Sequence, residues 1–230
     1  MRTRKAILEA AAEVFDERGF QAATIGEVLS RAGVTKGALY FHFPSKQALA
    51  QGVLDEQFRY GALTPRASKL QEVVDMGLGL AYRMRHDPMV RASARLSLEA
   101  QMVEVFGTGY TNAWVAVTEQ VFREAAAQGE LLPHVDPAES AWIFSAAWTG
   151  VQIYSQQLSG REDLEARISS LFAHLLPSIA VPAVLSRLQY GPERGFQVAE
   201  EGRRLAVAAD EAEADAAEVA VAADVAGASA

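Results

Sequence analysis

Cysteine is absent, which removes disulfides, thiolate metal sites and a cysteine nucleophile together. Histidine is scarce, and His42, His86, His134 and His174 stand far apart without ligand spacing. No long apolar run occurs either. The longest, residues 141–154, is interrupted by Ser145, Thr149 and Gln152 and is too short to span a bilayer. The N-terminus lacks a signal-peptide core, because Arg2, Arg4 and Lys5 lead directly into a helical pattern. A cytoplasmic chain is expected, with no metal, no cofactor and no membrane partner.

Among 230 residues, 50% are hydrophobic, enough to bury a sizeable core. The net charge of −8 argues against nucleic acid until it is located along the chain. Residues 1–50 carry a net +2, whereas residues 200–230 carry −6. The only positive segment is the N-terminal one.

Apolar residues recur at helical spacing almost throughout, and no alternating strand of useful length is present, so an all-α fold is expected. Ile7, Ala10, Ala11, Val14 and Phe15 line one face of a first helix that should stop at a left-handed Gly19. Thr24 and Glu27 have the spacing of a capping box for a second helix ending at Gly33. A third begins near Thr35 and finishes at Phe43-Pro44, and Ser45 caps a fourth over 46–60. Further helices are expected at about 69–86, 88–105, 112–128, 137–158, 162–176 and 182–189. A DNA-binding unit over 1–46, a larger domain over 47–198 and a disordered acidic tail over 199–230 complete the expected organisation.

Two short helices around a glycine turn have the form of a helix-turn-helix, though an ordinary α-hairpin has it too. The side chains suit the first alternative. Thr24, Thr35 and Lys36 mark helix N-termini where side chains and amides reach bases or phosphates, and Gly37 permits close backbone approach. Tyr40, His42 and Lys46 add phosphate-binding groups.

The stretch TIGEVLSRAGVTKGALYFHFPSKQAL resembles the N-terminal domain of the TetR family of bacterial repressors over residues 4 to about 55. Within that family, GVTKGALYFHF is most similar to the γ-butyrolactone receptors of actinomycetes. The resemblance implies a homodimer that binds double-stranded operator DNA as an approximate inverted repeat, and leaves it when a lactone or butenolide signal fills the second domain. A short N-terminal arm and the acidic tail depart from the family pattern. A repressor answering to an unrelated drug or metabolite, or a pseudo-receptor with no signal, remain alternatives.

A small amphiphilic ligand needs an apolar cavity with a few orienting polar groups. By resemblance, Trp114 sits where such receptors place a tryptophan against ligand, with Val117 and Thr118 following on its helix. Residues 137–158 carry Thr149 and Gln152 in a polar strip beside Phe144 and Trp148, facing a ligand or a dimer partner. Gln57 on the fourth helix is a further candidate that could grip a ligand or merely cap a neighbouring carbonyl, and Tyr82 and Met84 are candidate wall residues that core filling explains equally well. Catalysis finds no support. Gly77 and Gly79 of MGLGLAY lack both a preceding strand and a third glycine, and DPMVRASARLSLE offers serines without an oriented histidine.

Overall fold

The computed structural model describes residues 2–59 and 64–205, excepting the side chains of residue 2 and residues 57–59. The helices are α1 (Arg2–Ala22), α2 (Ile25–Ala32), α3 (Lys36–His42), α4 (Lys46–Arg59), α5 (Lys69–His86), α6 (Pro88–Leu98), α7 (Ala100–Phe106), α8 (Gly109–Ala127), α9 (Pro137–Ser159), α10 (Leu164–Ile179) and α11 (Pro182–Leu185). A further helix, α12, occupies residues 194–205. Among the described residues there is no strand, only an isolated antiparallel bridge between Leu131 and Ala180.

Two apolar cores result. In the first, Ile7, Ala11, Val14 and Phe15 of α1 meet Val28, Leu39, Phe43 and, from α4, Leu49, Val53 and Leu54. Met89, Ala92 and Leu96 of α6 join the same cluster, so α6 closes the N-terminal unit from behind. The second core packs α5, α8, α9 and α10 around Phe122, Phe144 and Phe172, with Val90 of α6 also inside it. Full burial of each phenylalanine contributes about 1.5–3 kcal/mol. Because α6 has a face in each core, it mechanically joins them.

Local chemistry sets most helix ends. Thr24 accepts from the Glu27 N–H at 3.2 Å while Glu27 accepts from the Thr24 N–H at 2.9 Å, completing the expected capping box. Gly33 (φ 63°) closes α2, and the Ser45 and Ser68 hydroxyls accept from the N–H groups of Ala48 and Gln71. Glu130, buried, accepts from the Lys69 and Leu70 N–H groups at 3.0 and 2.8 Å, satisfying two orphan donors at the start of α5.

Several boundaries differ from the sequence expectation. Gly19 has a positive φ of 75°, but its ψ of 173° is not left-handed helical, and a last helical turn resumes after it. The expected 88–105 helix breaks at Glu99, whose ψ of 126° divides α6 from α7 because its carboxylate is drawn to α1. The helix expected over 112–128 starts at Gly109. Pro177 does not end α10, which runs to Ile179, since a proline in a last turn forfeits only one hydrogen bond. The expected 182–189 helix shrinks to one turn.

The acidic tail expected from 199 is likewise helical as far as 205. Glu201 of α12 accepts from Arg66 Nη1 at 2.9 Å, and Asp75 of α5 accepts from Arg66 Nε and from Arg194 Nε and Nη2, all at 2.7 Å. Phe196 meets Tyr82 edge-on at 5.7 Å. These contacts strap α12 to α5. Residues 206–230 lie outside the described residues.

Candidate DNA-binding face and ligand domain

Helix α3 is held by Leu39 and Phe43, an i,i+4 pair buried in the first core. That anchor turns the remaining side chains of α3 outward. Thr35 caps the helix by accepting from the Ala38 N–H at 3.3 Å, and its neighbours Lys36 and Gly37 are exposed. The Lys36 ammonium lies over the Tyr40 ring, 5.9 Å from its centroid. A Cβ on Gly37 would meet nothing within 4 Å, so no contact inside the protein demands glycine there.

Thr24 spends its hydroxyl in the capping box, accepting from the Glu27 N–H and donating to the Glu27 carboxylate at 2.8 Å. The Thr24 hydroxyl and N–H hold the Glu27 carboxyl below its ordinary value. Nearby, Arg31 makes a bidentate pair with Glu17 at 2.8 and 3.0 Å. Arg18 stands 3.7 Å from Glu27. The arginines around α2 therefore have local acids, whereas among the described residues Lys36 has no ion-pair partner.

Lys46 does not extend outward as a phosphate ligand would. Its ammonium donates to the Gln21 carbonyl at 3.3 Å, lies 4.6 Å from the Phe20 ring centroid, and has its pKa lowered by burial. His42 is half-buried, with Phe41 edge-on at 5.1 Å. Phe41 itself was missed in the sequence: it is 84% exposed in the last turn of α3. The signal was present, because burying Leu39 and Phe43 leaves the residue midway between them on the opposite face.

In the larger domain, Trp114 of α8 is half-buried against the second core. Thr118, one turn on, is buried and donates to the Trp114 carbonyl at 2.9 Å. Phe144 and Trp148 of α9 are deep in the core, and the Trp148 indole N–H donates to the Gly77 carbonyl at 3.1 Å. Gly77 is required by close packing: a Cβ there would lie 2.9 Å from the Phe172 ring and 3.2 Å from that of Phe144. Met84 is fully buried and Thr149 half-buried.

Other candidates fall elsewhere. Val117 is 41% exposed, and Tyr82 is engaged by His86 and Phe196 at the α12 strap. Gln57 belongs to α4, but its side chain lies outside the described residues. Among the described residues, two buried side-chain polar atoms have no partner. Ser145 Oγ, on the buried side of α9, has no hydrogen bond, and neither does Arg161 Nε in the α9–α10 turn. Arg161 Nη2 reaches Gln152 Oε1 at 3.5 Å, and burial lowers the guanidinium pKa.

Comparisons with known proteins agree with this geometry. Residues 7–53 match the model of bacterial regulatory proteins, tetR family. The chain is 41% identical over 206 residues to the A-factor receptor protein of Streptomyces griseus, covering 90% of this chain and 73% of that one. Full-length TylP, a TetR regulator from Streptomyces fradiae, superposes with a TM-score of 0.79 at 43% identity over 88% of this chain and 98% of its own. A γ-butyrolactone receptor described as an ArpA-like protein superposes with a TM-score of 0.69 at 26% identity, over 87% and 98% of the two chains. With an outward-facing α3 on a capped α2–α3 unit, and relatives matching across both cores, the chain belongs to the TetR family of bacterial regulatory proteins.

Proposed function

We propose that the protein is a homodimeric repressor that releases its operator on binding a γ-butyrolactone or butenolide signal, and that it controls antibiotic production. The likeness to the A-factor receptor protein over most of the chain is the observation that carries this conclusion. Helix α3 of each protomer lies in the major groove, with Thr35, Lys36, Gly37, Tyr40 and Phe41 toward the duplex. Thr24 acts through its cap and His42 at the end of α3. Without arginine in α3, sequence discrimination rests on Lys36, apolar contacts and DNA shape.

The signal occupies the region between α8 and α9. Trp114 forms one wall, with Thr149, Gln152 and the unpaired Ser145 hydroxyl as orienting groups, since a buried hydroxyl gains from a ligand carbonyl. Phe144, Trp148, Thr118 and Met84 back that wall. Dimerisation uses α9, on which Ile143 (43% exposed), Tyr154 (67%) and Leu158 (81%) share one outward face while Trp142 (60%) lies to one side of it.

Fluorescence anisotropy with labelled DNA from this protein's own promoter, titrated with protein and then with synthetic γ-butyrolactones and butenolides, tests the function. Reversal of tight binding by a lactone is the expected result, and Trp114→Ala should abolish the response. Binding that persists through every lactone assigns a different class of signal or none, and absence of binding to promoter DNA removes the repressor assignment.

A further inference from the structure

In an unbroken α1 the Phe20 N–H would donate to the Asp16 carbonyl, four residues earlier. Gly19 turns that N–H out of the helix. It donates instead to both Glu99 carboxylate oxygens, at 3.2 and 3.0 Å, while the Asp16 carbonyl accepts from Arg95 Nη1 at 2.6 Å. Arg95 and Glu99 are themselves an i,i+4 ion pair at 3.3 Å. An ion pair of the α6–α7 junction is thus spliced into one interrupted hydrogen bond of α1.

Further features converge on this joint. Glu99 is the residue at which α6 breaks, so its docking on Phe20 and the helix break are one event. The Gly19 backbone, at φ 75° and ψ 173°, is one that only glycine adopts readily, and a Cβ there would lie 2.5 Å from Glu99 Oε1 and 2.9 Å from Arg95 Nη2, displacing the ends of the pair. The segment just past Gly19 also carries α4, through the Lys46 bond to the Gln21 carbonyl, and Arg91 Nε holds the Asp16 carboxylate at 2.6 Å. A cleft of about 650 Å³, bordered by Arg18, Gln21, Glu99 and Gln101, leaves the joint room to move.

We propose that Arg95 and Glu99 are positioning residues for operator binding: the spliced pair transmits the placement of α6 and α7 to the α1–α4 unit and so fixes the angle at which α3 is presented. This rests on the DNA-binding function above. Rigid-body motion of α6 then has two outcomes, docked and undocked, as expected where a packed joint is bistable rather than elastic. Glu99 supplies the specific contact, while Met89, Ala92 and Leu96 supply the hydrophobic hinge.

The absence of cysteine makes the test direct. Ser30→Cys on α2 and Ala116→Cys on α8, both exposed positions, carry spin labels in full-length protein diluted with unlabelled chain, and the distance distribution between them is measured without DNA. Glu99→Ala should broaden or shift that distribution and weaken promoter binding about ten-fold or more, whereas Glu99→Gln, which retains an acceptor oxygen, should lose only about two-fold. Arg123→Ala, which removes the exposed Glu119 pair on α8, should change neither. An unaltered distribution in Glu99→Ala overturns the proposal. If Glu99→Ala does not fold, Arg95→Gln and the exchange rate of the Phe20 amide decide it, with unchanged exchange again overturning it. Wild-type protein that binds no promoter DNA removes the repressor assignment, while the distance measurement still decides whether the pair sets the domain angle.

Discussion

The Trp148 indole N–H donates to the Gly77 carbonyl at 3.1 Å, tying the middle of α9 to the middle of α5 inside the second core. The bond satisfies the one polar atom of a side chain that is otherwise buried among hydrocarbon. Trp148→Phe keeps most of the apolar volume and leaves the Gly77 carbonyl its helical partner, so a loss of about 1 kcal/mol is expected. Trp148→Ala adds a cavity and should cost about 3–5 kcal/mol. Gly77→Ala should cost about 1–3 kcal/mol, because the Phe172 and Phe144 rings must yield to the new methyl. Urea titrations of the three variants check the order.

Operator binding should separate charge from apolar contact on α3. Lys36→Ala removes one phosphate-neutralising group, so the slope of log affinity against log salt should flatten by about one. Phe41→Ala should weaken binding about five-fold or more while leaving that slope unchanged, since an apolar contact with a thymine methyl releases no counterion. Anisotropy titrations at several salt concentrations test both. Equal slopes for Lys36→Ala and wild type would remove Lys36 from the phosphate contacts.

The capping box predicts an acid-sensitive α2. The folded-state pKa of Glu27 lies below its ordinary 4.5, first through the Thr24 hydroxyl and then through the Thr24 N–H. A depressed carboxylate binds fewer protons folded than unfolded, so its contribution is complete above pH 4.5 and is lost as pH falls through the folded value. Glu27→Gln should therefore lower Tm at pH 7 and show a shallower fall of Tm below pH 4.5 than wild type. Glu17, lowered by its bond to Arg31, should behave alike in Glu17→Gln. Calorimetry from pH 7 to pH 3 measures both slopes.

The α2–α3 unit was legible in the sequence because its determinants are local. Thr24 and Glu27 bond each other three residues apart, Gly33 closes its own helix, and Leu39 with Phe43 sets the face of α3. The break at Glu99 was illegible because its cause lies 79 residues away, at the Phe20 N–H. The bond from Lys46 to the Gln21 carbonyl was illegible for the same reason, since the two residues are 25 positions apart. In the ligand domain periodicity identified α9, but one helix offers residues to the core, to a ligand and to the outside within a few positions. Phe144 and Trp148 turned inward, Thr149 stopped at the margin, and Tyr154 faced out.

The outward side of α9 is apolar. Trp142, Ile143, Tyr154 and Leu158 are large apolar side chains exposed along one helix, and removing them from water is worth about 25 cal/mol per Å². Such a surface is costly to leave wet. A two-fold dimer would place each α9 against its symmetry mate, and since both copies carry the same residue, a charge at Leu158 would be introduced twice. Leu158→Arg should shift sedimentation from dimer to monomer at micromolar concentration while leaving the helical circular dichroism unchanged. Operator affinity should fall with it, because a monomer presents one α3 where an inverted repeat needs two. A Leu158→Arg protein that sediments as wild type would place the interface on another face.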